Sequence, residues 1–251
     1  MQSEHDRKIV EQFSRWAKPF ADLPLHSEGD AMARTVASCR LQADSVALDV
    51  ACGPGILACA LAEQGGHVTG IDLTPAMIEQ ARIRQTAAGR NNVEWRIGDA
   101  AALPFDAAAF DRVVTRYSFH HMLDPFRVLA EMKRVCRAGG RIVVIDATPS
   151  AETQQGYDRM EKLRDPSHAG ALTLDQLLEL GRRAGFSAPF VDRYRLEARL
   201  DTLADAGDMP ALTAMFDADI ASGEDRIGVG AWRAEDGIRF NFPISIVAWD
   251  V

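Results

Sequence analysis

The sequence predicts an α/β fold with a doubly wound, mostly parallel sheet of seven strands and helices on both of its faces. From residue 45 onward, short apolar segments alternate with amphipathic helical segments, which is typical of βαβ units. A glycine turn, Gly53-Pro54-Gly55, follows the first apolar segment and precedes a helix. The chain has 251 residues, of which 47% are hydrophobic, so it can bury the core of one large domain.

The first 40 residues are predicted to form a helical cap, and residues 41–251 the main domain. Five apolar residues of the first segment fall at helical spacing: Ile9, Val10, Phe13, Trp16 and Phe20. This spacing predicts a helix over residues 8–20 that ends near Pro24. A second helix is predicted over residues 28–39. The first helix has two interpretations, because aromatic stripes usually pack on a core, whereas Trp16 and Phe20 could also form the walls of a lid over a binding site.

The first three predicted strands are residues 46–50, 67–71 and 93–97. The intervening helix ends at Gly65-Gly66, and Thr74-Pro75 opens the next helix as an N-cap residue followed by proline.

The second half of the chain contains four further predicted strands, at residues 111–115, 141–145, 190–194 and 240–251. Asp124-Pro125 opens a helix that is expected to end at Gly139-Gly140, and Thr173-x-x-Gln176 is a capping box for another. Two segments, at about 147–172 and 198–225, interrupt this pattern with helices at about 157–163 and 200–221. We expect both segments to be insertions that cover a substrate.

Composition excludes several classes of protein. The formal net charge of -8 argues against a nucleic-acid partner, because phosphate binding depends on clustered lysine and arginine. The four cysteines form no C-x-x-C pair, and they are expected to be reduced core residues with no metal site. No signal-like segment and no apolar run of roughly 18 residues is present, so we expect a cytoplasmic protein without a membrane partner.

Three aspartates at or near strand ends suggest a cofactor at the carboxyl edge of the sheet. Asp72 follows the second strand, where a carboxylate can accept hydrogen bonds from both ribose hydroxyls. Asp49 precedes the glycine turn and would repel a pyrophosphate, but not a cationic amino group or sulfonium. Asp99 follows the third strand and suits an exocyclic adenine amine. Asp72, at a loop end, is expected to lie outside the core.

These residues lie in motifs that resemble those of the class I S-adenosylmethionine-dependent methyltransferases, in particular the ubiquinone/menaquinone type and its bacterial small-molecule relatives. The resemblance covers residues 45–147 closely and 173–186 more loosely. The motifs are Leu48-Asp49-Val50-Ala51-Cys52-Gly53-Pro54-Gly55, Gly70-Ile71-Asp72-Leu73-Thr74-Pro75-Ala76-Met77, Gly98-Asp99-Ala100-x-x-Leu103-Pro104-Phe105, and Phe110-Asp111 through His121.

The resemblance implies a Rossmann-like fold with S-adenosyl-L-methionine as cofactor and S-adenosyl-L-homocysteine as product. Gly53 and Gly55 would lie against the methionine portion, and Asp72 against the ribose. Leu73 would contact the adenine face, and Asp99 its amine. Asp49 would sit near the amino group, although it could equally serve only to hold the turn. The same resemblance adds four residues to the cofactor site: Ala51, Met77, Ala100 and Arg116.

Candidate catalytic and substrate residues follow the fourth strand. Methyl transfer is an in-line displacement that depends mostly on alignment, but a base would help a hydroxyl or N–H acceptor. His120, His121 and Arg116 are the catalytic candidates. Adjacent side chains of an extended segment point in opposite directions, so we expect at most one histidine to face the acceptor, and either could instead fix the loop by bonding to backbone. The acceptor pocket is expected to contain four residues: Trp16, Phe20, Tyr117 and His168.

The function predicted from these motifs is methyl transfer to a nitrogen, oxygen or carbon atom of a metabolite, such as a heterocycle or a quinone precursor, by a monomer or homodimer. Residues 115–118 lack the Asn/Asp-Pro-Pro-aromatic run of enzymes that methylate bases of nucleic acids. Two alternatives remain. The pattern Gly53-x-Gly55-x-x-Ala58 with Asp72 also fits an NAD-dependent oxidoreductase, and the fold could serve as a non-catalytic scaffold.

Overall fold

One sheet of eight strands forms the centre of the computed structural model, which describes residues 4–22 and 29–251. The strands are β1 Val46–Val50, β2 His67–Asp72, β3 Val93–Ile97, β4 Phe110–Arg116, β5 Cys136–Ala147, β6 Phe190–Arg199, β7 Trp232–Ala234 and β8 Gly237–Asp250. Their order is β3-β2-β1-β4-β5-β8-β6, and the short β7 pairs with β8.

The pairing confirms a doubly wound, mostly parallel sheet. Strands β1 to β5 pair in parallel, whereas β8 runs antiparallel to its neighbours β5 and β6. The seven predicted strands form the main path, and β7 is an addition to it. The strand order reverses between β1 and β4, which is where ligands bind in open α/β sheets.

Helices cover both faces of the sheet. They are α1 Glu4–Asp22, α2 Gly29–Cys39, α3 Ile56–Ala62, α4 Pro75–Ala87, α5 Pro125–Val135, α6 Gln154–Arg164, α7 Leu174–Arg183 and α8 Met209–Ser222. Adjacent residues of a strand pack on opposite faces of the sheet. In β4, Val114 packs in one buried hydrophobic cluster and Val113 in the other. A strand buried on both faces has a continuous apolar sequence, as residues 142–145 of β5 do.

Two predicted helix starts are confirmed by capping bonds. Thr173 and Gln176 form the complete capping box of α7, and Asp124 Oδ1 accepts a 3.0 Å bond from the backbone N–H of Arg127 in α5. Thr74 occupies the N-cap position of α4, but its side chain makes no capping bond.

The predicted end of α5 was wrong. This helix ends at Val135, and β5 already begins at Cys136, which pairs with Phe110. The Gly139-Gly140 pair instead lies within the irregular first part of β5, where the backbone N–H of Gly139 donates to Val251 O over 2.7 Å. Pairing with β4 therefore outweighs the stop signal.

Two of the predictions concern the state of the cysteines and membrane-spanning helices. All four cysteines are buried and free. None of the described helices is long and apolar enough to cross a membrane.

Candidate active site

A cavity of about 360 Å³ lies where the strand order reverses, at the carboxyl ends of β1, β2 and β4. We call it the larger cavity. Eleven of the predicted site residues line it: Asp49, Ala51, Gly53, Asp72, Leu73, Met77, Asp99, Ala100, Arg116, Tyr117 and His121. The sequence motifs therefore do converge on one site.

The glycine turn after β1 uses its two glycines differently. Both have positive φ, +52° at Gly53 and +74° at Gly55. A Cβ on Gly53 would have no atom within 4 Å, so this position leaves space open. A Cβ on Gly55 would lie 2.4 Å from the Trp95 ring and 2.9 Å from Ala81 Cβ. Gly55 is not among the residues that line the larger cavity, and it serves the turn and its packing.

Asp72 connects two loops beneath the larger cavity. Its Oδ2 accepts a 2.8 Å bond from Gly53 N–H, and its Oδ1 accepts a 2.8 Å bond from Thr74 N–H. Only 8% of the residue is exposed, so the expectation that Asp72 lies outside the core was wrong. Burial raises its pKa, although the two N–H groups oppose the rise. Each carboxylate oxygen has two lone pairs, so acceptor capacity remains for ribose hydroxyls.

Asp49 brings a buried, incompletely paired carboxylate to the same cavity. Its exposed fraction is 1%, and the described part of the chain offers no hydrogen-bond partner to Oδ2. Burial raises the pKa of the Asp49 carboxyl to about 8, although nearby Arg116 opposes this. An unpaired buried acceptor is costly, and a ligand cation would stabilise it. The site therefore fits a cofactor that carries an amino group or a sulfonium.

The opposite side of the larger cavity suits an adenine ring. Met77 and Ala100 are buried and Leu73 is half-buried, so together they form an apolar wall. Asp99 lies on the exposed rim, where its Oδ1 accepts a 2.8 Å bond from Ala101 N–H.

A second cavity of about 80 Å³, the smaller cavity, lies beside the first and shares Phe13, Tyr117 and His121 with it. Its aromatic walls come from α1, α6, β8 and the bend after β4. Its charged or titratable groups come from the short turn at residues 119–121, the end of β5, and α6 with the residue that follows it. The aromatic residues besides Tyr117 are Phe13, Trp16, Tyr157 and Phe242, and the charged or titratable residues besides His121 are His120, Asp146, Glu161, Arg164 and Asp165.

His120 and His121 occupy a short 3-10 turn, residues 119–121, and not an extended segment. Their rings are therefore close, with centroids 4.2 Å apart, and both line the smaller cavity. The prediction that they point in opposite directions was wrong for this reason.

The two histidines differ in their contacts. His120 Nδ1 lies 2.7 Å from Asp146 Oδ1, whereas His121 Nδ1 lies 3.2 Å from the carbonyl oxygen of Ser167. Burial opposes charge on His120, but the Asp146 carboxylate outweighs burial and raises the pKa of His120. Burial, with the neighbouring His120, lowers the pKa of His121 to about 3.

The remaining predicted substrate residues are spread around these cavities. Trp16 lines the smaller cavity, and the Arg116 guanidinium lies over the Tyr117 ring, 4.3 Å from its centroid. His168 lines neither cavity, because its side chain is fully buried and its Nε2 lies 2.8 Å from Asp158 Oδ1. The prediction that places Phe20 in the pocket concerns a side chain outside the described residues.

Sequence reasoning missed two contributors to the site. His5 lines the larger cavity, and its Nε2 lies 2.7 Å from the carbonyl oxygen of His121. No signal in the polar first residues pointed to this contact. Asp146 was detectable, because it lies near the carboxyl end of a strand, as Asp49 and Asp72 do.

No metal centre is apparent in residues 4–22 and 29–251, where no group of three or more His, Cys, Asp or Glu side chains is arranged to hold an ion.

Comparison with known proteins agrees with this geometry. Residues 48–144 match the family described as a methyltransferase domain. A Bacillus subtilis protein described as the uncharacterized methyltransferase YcgJ is 26% identical over 201 residues, which cover 79% of each chain. The crystal structure of YcgJ covers 88% of this chain and 97% of its own, with a TM-score of 0.80 at 22% identity, which shows a shared fold.

A second relative matches over a shorter region at higher identity. The demethylmenaquinone methyltransferase of Clavibacter sepedonicus is 38% identical over 122 residues, and the chain spans about half of that protein, 49% of its length. The family match at residues 48–144 includes the glycine turn and the strand-end aspartates. Residues 48–144 therefore belong to the methyltransferase-domain family, and the chain shares the fold of YcgJ over most of its length.

Proposed function

We propose that this protein binds S-adenosylmethionine in the larger cavity and transfers its methyl group to a small molecule held in the smaller cavity. The observation that carries the proposal is the buried Asp49 carboxylate, whose Oδ2 has no partner among the described residues and which lines the cavity beside Gly53. A cationic, phosphate-free ligand supplies that partner.

Each side of the larger cavity has a role in this proposal. Asp72 accepts the ribose hydroxyls, Asp99 accepts from the adenine amine, and Asp49 faces the amino group. Gly53 lets the methionine portion approach the backbone, since no atom lies near its missing Cβ. The apolar wall holds the adenine faces through Leu73, Met77 and Ala100, and Ala51 and Arg116 complete the lining.

The cofactor supplies an electrophilic methyl group, and the protein aligns the acceptor with it. The two cavities share Phe13, Tyr117 and His121, so an acceptor in the smaller cavity lies next to the methyl donor. Arg116 stacks on Tyr117 and thereby fixes the boundary between the two cavities.

A metabolite is the acceptor that the observations favour. The net charge of -8 opposes nucleic-acid binding, and the smaller cavity is lined by aromatic rings. The name of the Clavibacter sepedonicus relative supports a quinone-like acceptor. We propose a quinone-like or heterocyclic biosynthetic intermediate.

We also propose that residues 1–40 are a cap on a main domain of residues 41–251, and that the protein works in the cytoplasm as a monomer or homodimer. The buried free cysteines suit a reducing compartment.

The alternative of an NAD-dependent oxidoreductase is disfavoured by Asp49. Its carboxylate lines the same cavity as the glycine turn, where it would repel a pyrophosphate when ionised. Calorimetry separates the two functions: we expect S-adenosylhomocysteine to bind and NADH not to bind. The reverse result would overturn the proposal.

Turnover decides between an enzyme and a non-catalytic scaffold. The purified protein is incubated with methyl-labelled S-adenosylmethionine and a metabolite extract of its host, and mass spectrometry identifies the compound that gains the label. We expect one labelled product, lost in the Asp72→Ala variant. Cofactor binding without any labelled product would favour the scaffold.

A further inference from the structure

The smaller cavity contains a histidine-carboxylate pair within an acidic wall. On the basis of the proposed function, we propose that its acceptor is an uncharged aromatic compound whose hydroxyl gives its proton to His120 Nε2, that Asp146 positions His120, and that the surrounding carboxylates exclude anionic acceptors. The residues involved are on the described part of the chain. The sequence analysis names His120 only as one of two candidate bases, and it gives no role to Asp146 or to the acidic wall.

Asp146 fixes which nitrogen of His120 is available. Its Oδ1 accepts a 2.7 Å bond from His120 Nδ1 and a 2.7 Å bond from the backbone N–H of Ala147. Its Oδ2 accepts a 3.3 Å bond from the backbone N–H of His120. The carboxylate therefore holds the proton on Nδ1, and the lone pair of Nε2 remains available as a base.

His120 Nε2 is accessible for this purpose. The side chain of His120 is 13% exposed and lines the smaller cavity. Within residues 4–22 and 29–251, the hydrogen bonds of His120 are all to Asp146 and, through its carbonyl oxygen, to the backbone N–H groups of Ala169 and Gly170. The available nitrogen is therefore the one that an acceptor hydroxyl would meet.

His121 is the neutral member of the pair. Its ring is buried, its Nδ1 donates to the Ser167 carbonyl, and the Phe13 ring packs edge-on against it at 5.1 Å between centroids. Burial disfavours a charged ring there, so His121 cannot hold a transferred proton. It forms a wall of the site and leaves His120 as the base.

The charges around His120 come from several elements. Asp146 contacts it from the end of β5, Glu161 and Arg164 approach from α6, and Asp165 follows that helix. The ring of the neighbouring His121 is 4.2 Å away between centroids, and that of His168, paired with Asp158, is 5.6 Å away.

Negative groups predominate in the wall of the smaller cavity. Arg164 donates to both oxygens of Glu161, over 3.2 and 2.6 Å, so this pair neutralises itself. Asp146 and Asp165 remain, the latter held by the Ser167 N–H and hydroxyl at 2.8 and 2.6 Å. A carboxylate or phosphate on the acceptor would enter next to these two anions, and the nearby cation Arg164 is already paired with Glu161. An uncharged acceptor avoids that repulsion.

The size and walls of the smaller cavity favour an aromatic ring. Trp16, Tyr157 and Phe242 offer ring surfaces, to which a planar acceptor can pack. The volume of about 80 Å³ is below the roughly 150 Å³ that holds benzene in an engineered protein cavity. The ring must therefore extend toward the shared residues Tyr117 and His121, which brings its reacting atom to the larger cavity.

The protons and electron pairs of the methyl transfer can all be assigned to the acceptor, His120, the cofactor and water. The acceptor O–H bond breaks, the proton goes to His120 Nε2, and the electron pair stays on the acceptor. The oxygen, or a ring carbon that shares its charge, forms the bond to the methyl carbon, and the pair of the broken C–S bond stays on sulfur. In transfer to carbon, the ring proton passes to water and the product oxygen takes up a proton from water. His120 then returns its proton to water.

Histidine NMR of the protein saturated with S-adenosylhomocysteine tests the positioning role. We expect His120 to titrate and the Asp146→Asn variant to shift its midpoint at least one pH unit lower, because the ring loses its anionic partner. His121 should not titrate between pH 5 and 9. His120→Gln assigns the signal. An unshifted midpoint in Asp146→Asn contradicts the positioning role.

Two matched probes test the acidic wall in the same loaded protein. Phenol and its anionic analogue 4-hydroxybenzoate are titrated while the signals of residues around the smaller cavity are followed. We expect phenol to bind at least tenfold more tightly than 4-hydroxybenzoate. In the Asp165→Asn variant, this difference in affinity should become smaller. Equal affinities, or binding of neither probe, would overturn the proposed acceptor. These failures leave S-adenosylhomocysteine bound, whereas failure of the proposed function would abolish that binding.

Discussion

The carboxylate of Asp72 accepts a 2.8 Å hydrogen bond from the backbone N–H of Gly53, and this bond joins the end of β2 to the turn after β1. The other oxygen of Asp72 holds the N–H of Thr74. One buried side chain thus shapes the floor of the larger cavity, and in the proposed function it also binds the cofactor. Stability and cofactor affinity are coupled at this residue.

Asp72→Ala should lose both properties together. Two buried N–H groups lose their acceptor, which costs about 2–4 kcal/mol of unfolding free energy, and S-adenosylhomocysteine affinity falls by about 100-fold or more. Denaturant unfolding and calorimetry measure the two effects. Asp44→Ala, at an exposed turn away from the site, is the control and should change neither. Near-native affinity in Asp72→Ala would remove this residue from the cofactor site.

Asp49 predicts a pH dependence of cofactor binding. Its pKa of about 8 means that the free protein carries a proton there at neutral pH, whereas a bound ammonium group favours the carboxylate. Binding then releases a proton, so affinity for S-adenosylhomocysteine should rise with pH, by at most about tenfold per unit, and level off near pH 8. Calorimetry in two buffers of different ionisation enthalpy counts the proton.

The Asp49→Asn variant is the control for this linkage. It should bind more weakly and show no rise in affinity between pH 6 and 8. A flat profile in the unmodified protein would instead support the second interpretation of Asp49, in which it only holds the turn.

The glycines of the turn should respond differently to alanine. Gly55→Ala combines a left-handed backbone with a clash against Trp95, and we expect it to cost about 2–5 kcal/mol of stability. Gly53→Ala has the backbone strain alone, about 1–2 kcal/mol, but its methyl group enters open space at the cavity. It should therefore weaken cofactor binding more than stability. Equal stability losses would contradict the different roles assigned to these glycines.

Replacement of His5 tests whether α1 acts as a lid. Its bond to the His121 carbonyl fastens the start of α1 over the larger cavity, and a bond of this kind contributes about 1 kcal/mol. His5→Ala should speed hydrogen exchange in α1 and S-adenosylhomocysteine release by roughly fivefold. Lys8→Ala removes only an exposed ion pair with Glu4 and should change neither rate. Unchanged release in His5→Ala would favour simple packing of α1.

Much of the sheet could be predicted from the sequence, because β1, β2 and the second half of β5 are buried on both faces and appear as short apolar runs. The convergence of Asp49, Asp72 and Asp99 followed from the parallel strand order. The sequence could not indicate which backbone groups each of these carboxylates would bind. Asp72 lies at the end of β2 and accepts a hydrogen bond from the N–H of Gly53, in the turn after β1. Only the folded turn brings these two groups together.

The acceptor side was harder to predict. The contact between His120 and Asp146 joins the turn after β4 to the last residues of β5, and it depends on the register of β4 against β5. The 3-10 turn that brings His120 beside His121 has no distinctive residue pattern. The end of α5 was mispredicted because strand pairing outweighed two glycines.

Helix α1 contributes Ile9 to the larger cavity, Trp16 to the smaller one, and Phe13 to both. In the proposed enzyme, one element therefore covers donor and acceptor together, and neither can exchange while it is closed. The spent cofactor and the methylated product would leave during the same opening event. Chemistry in the closed state would then be followed by a slower helix displacement, so the first turnover should be faster than those that follow.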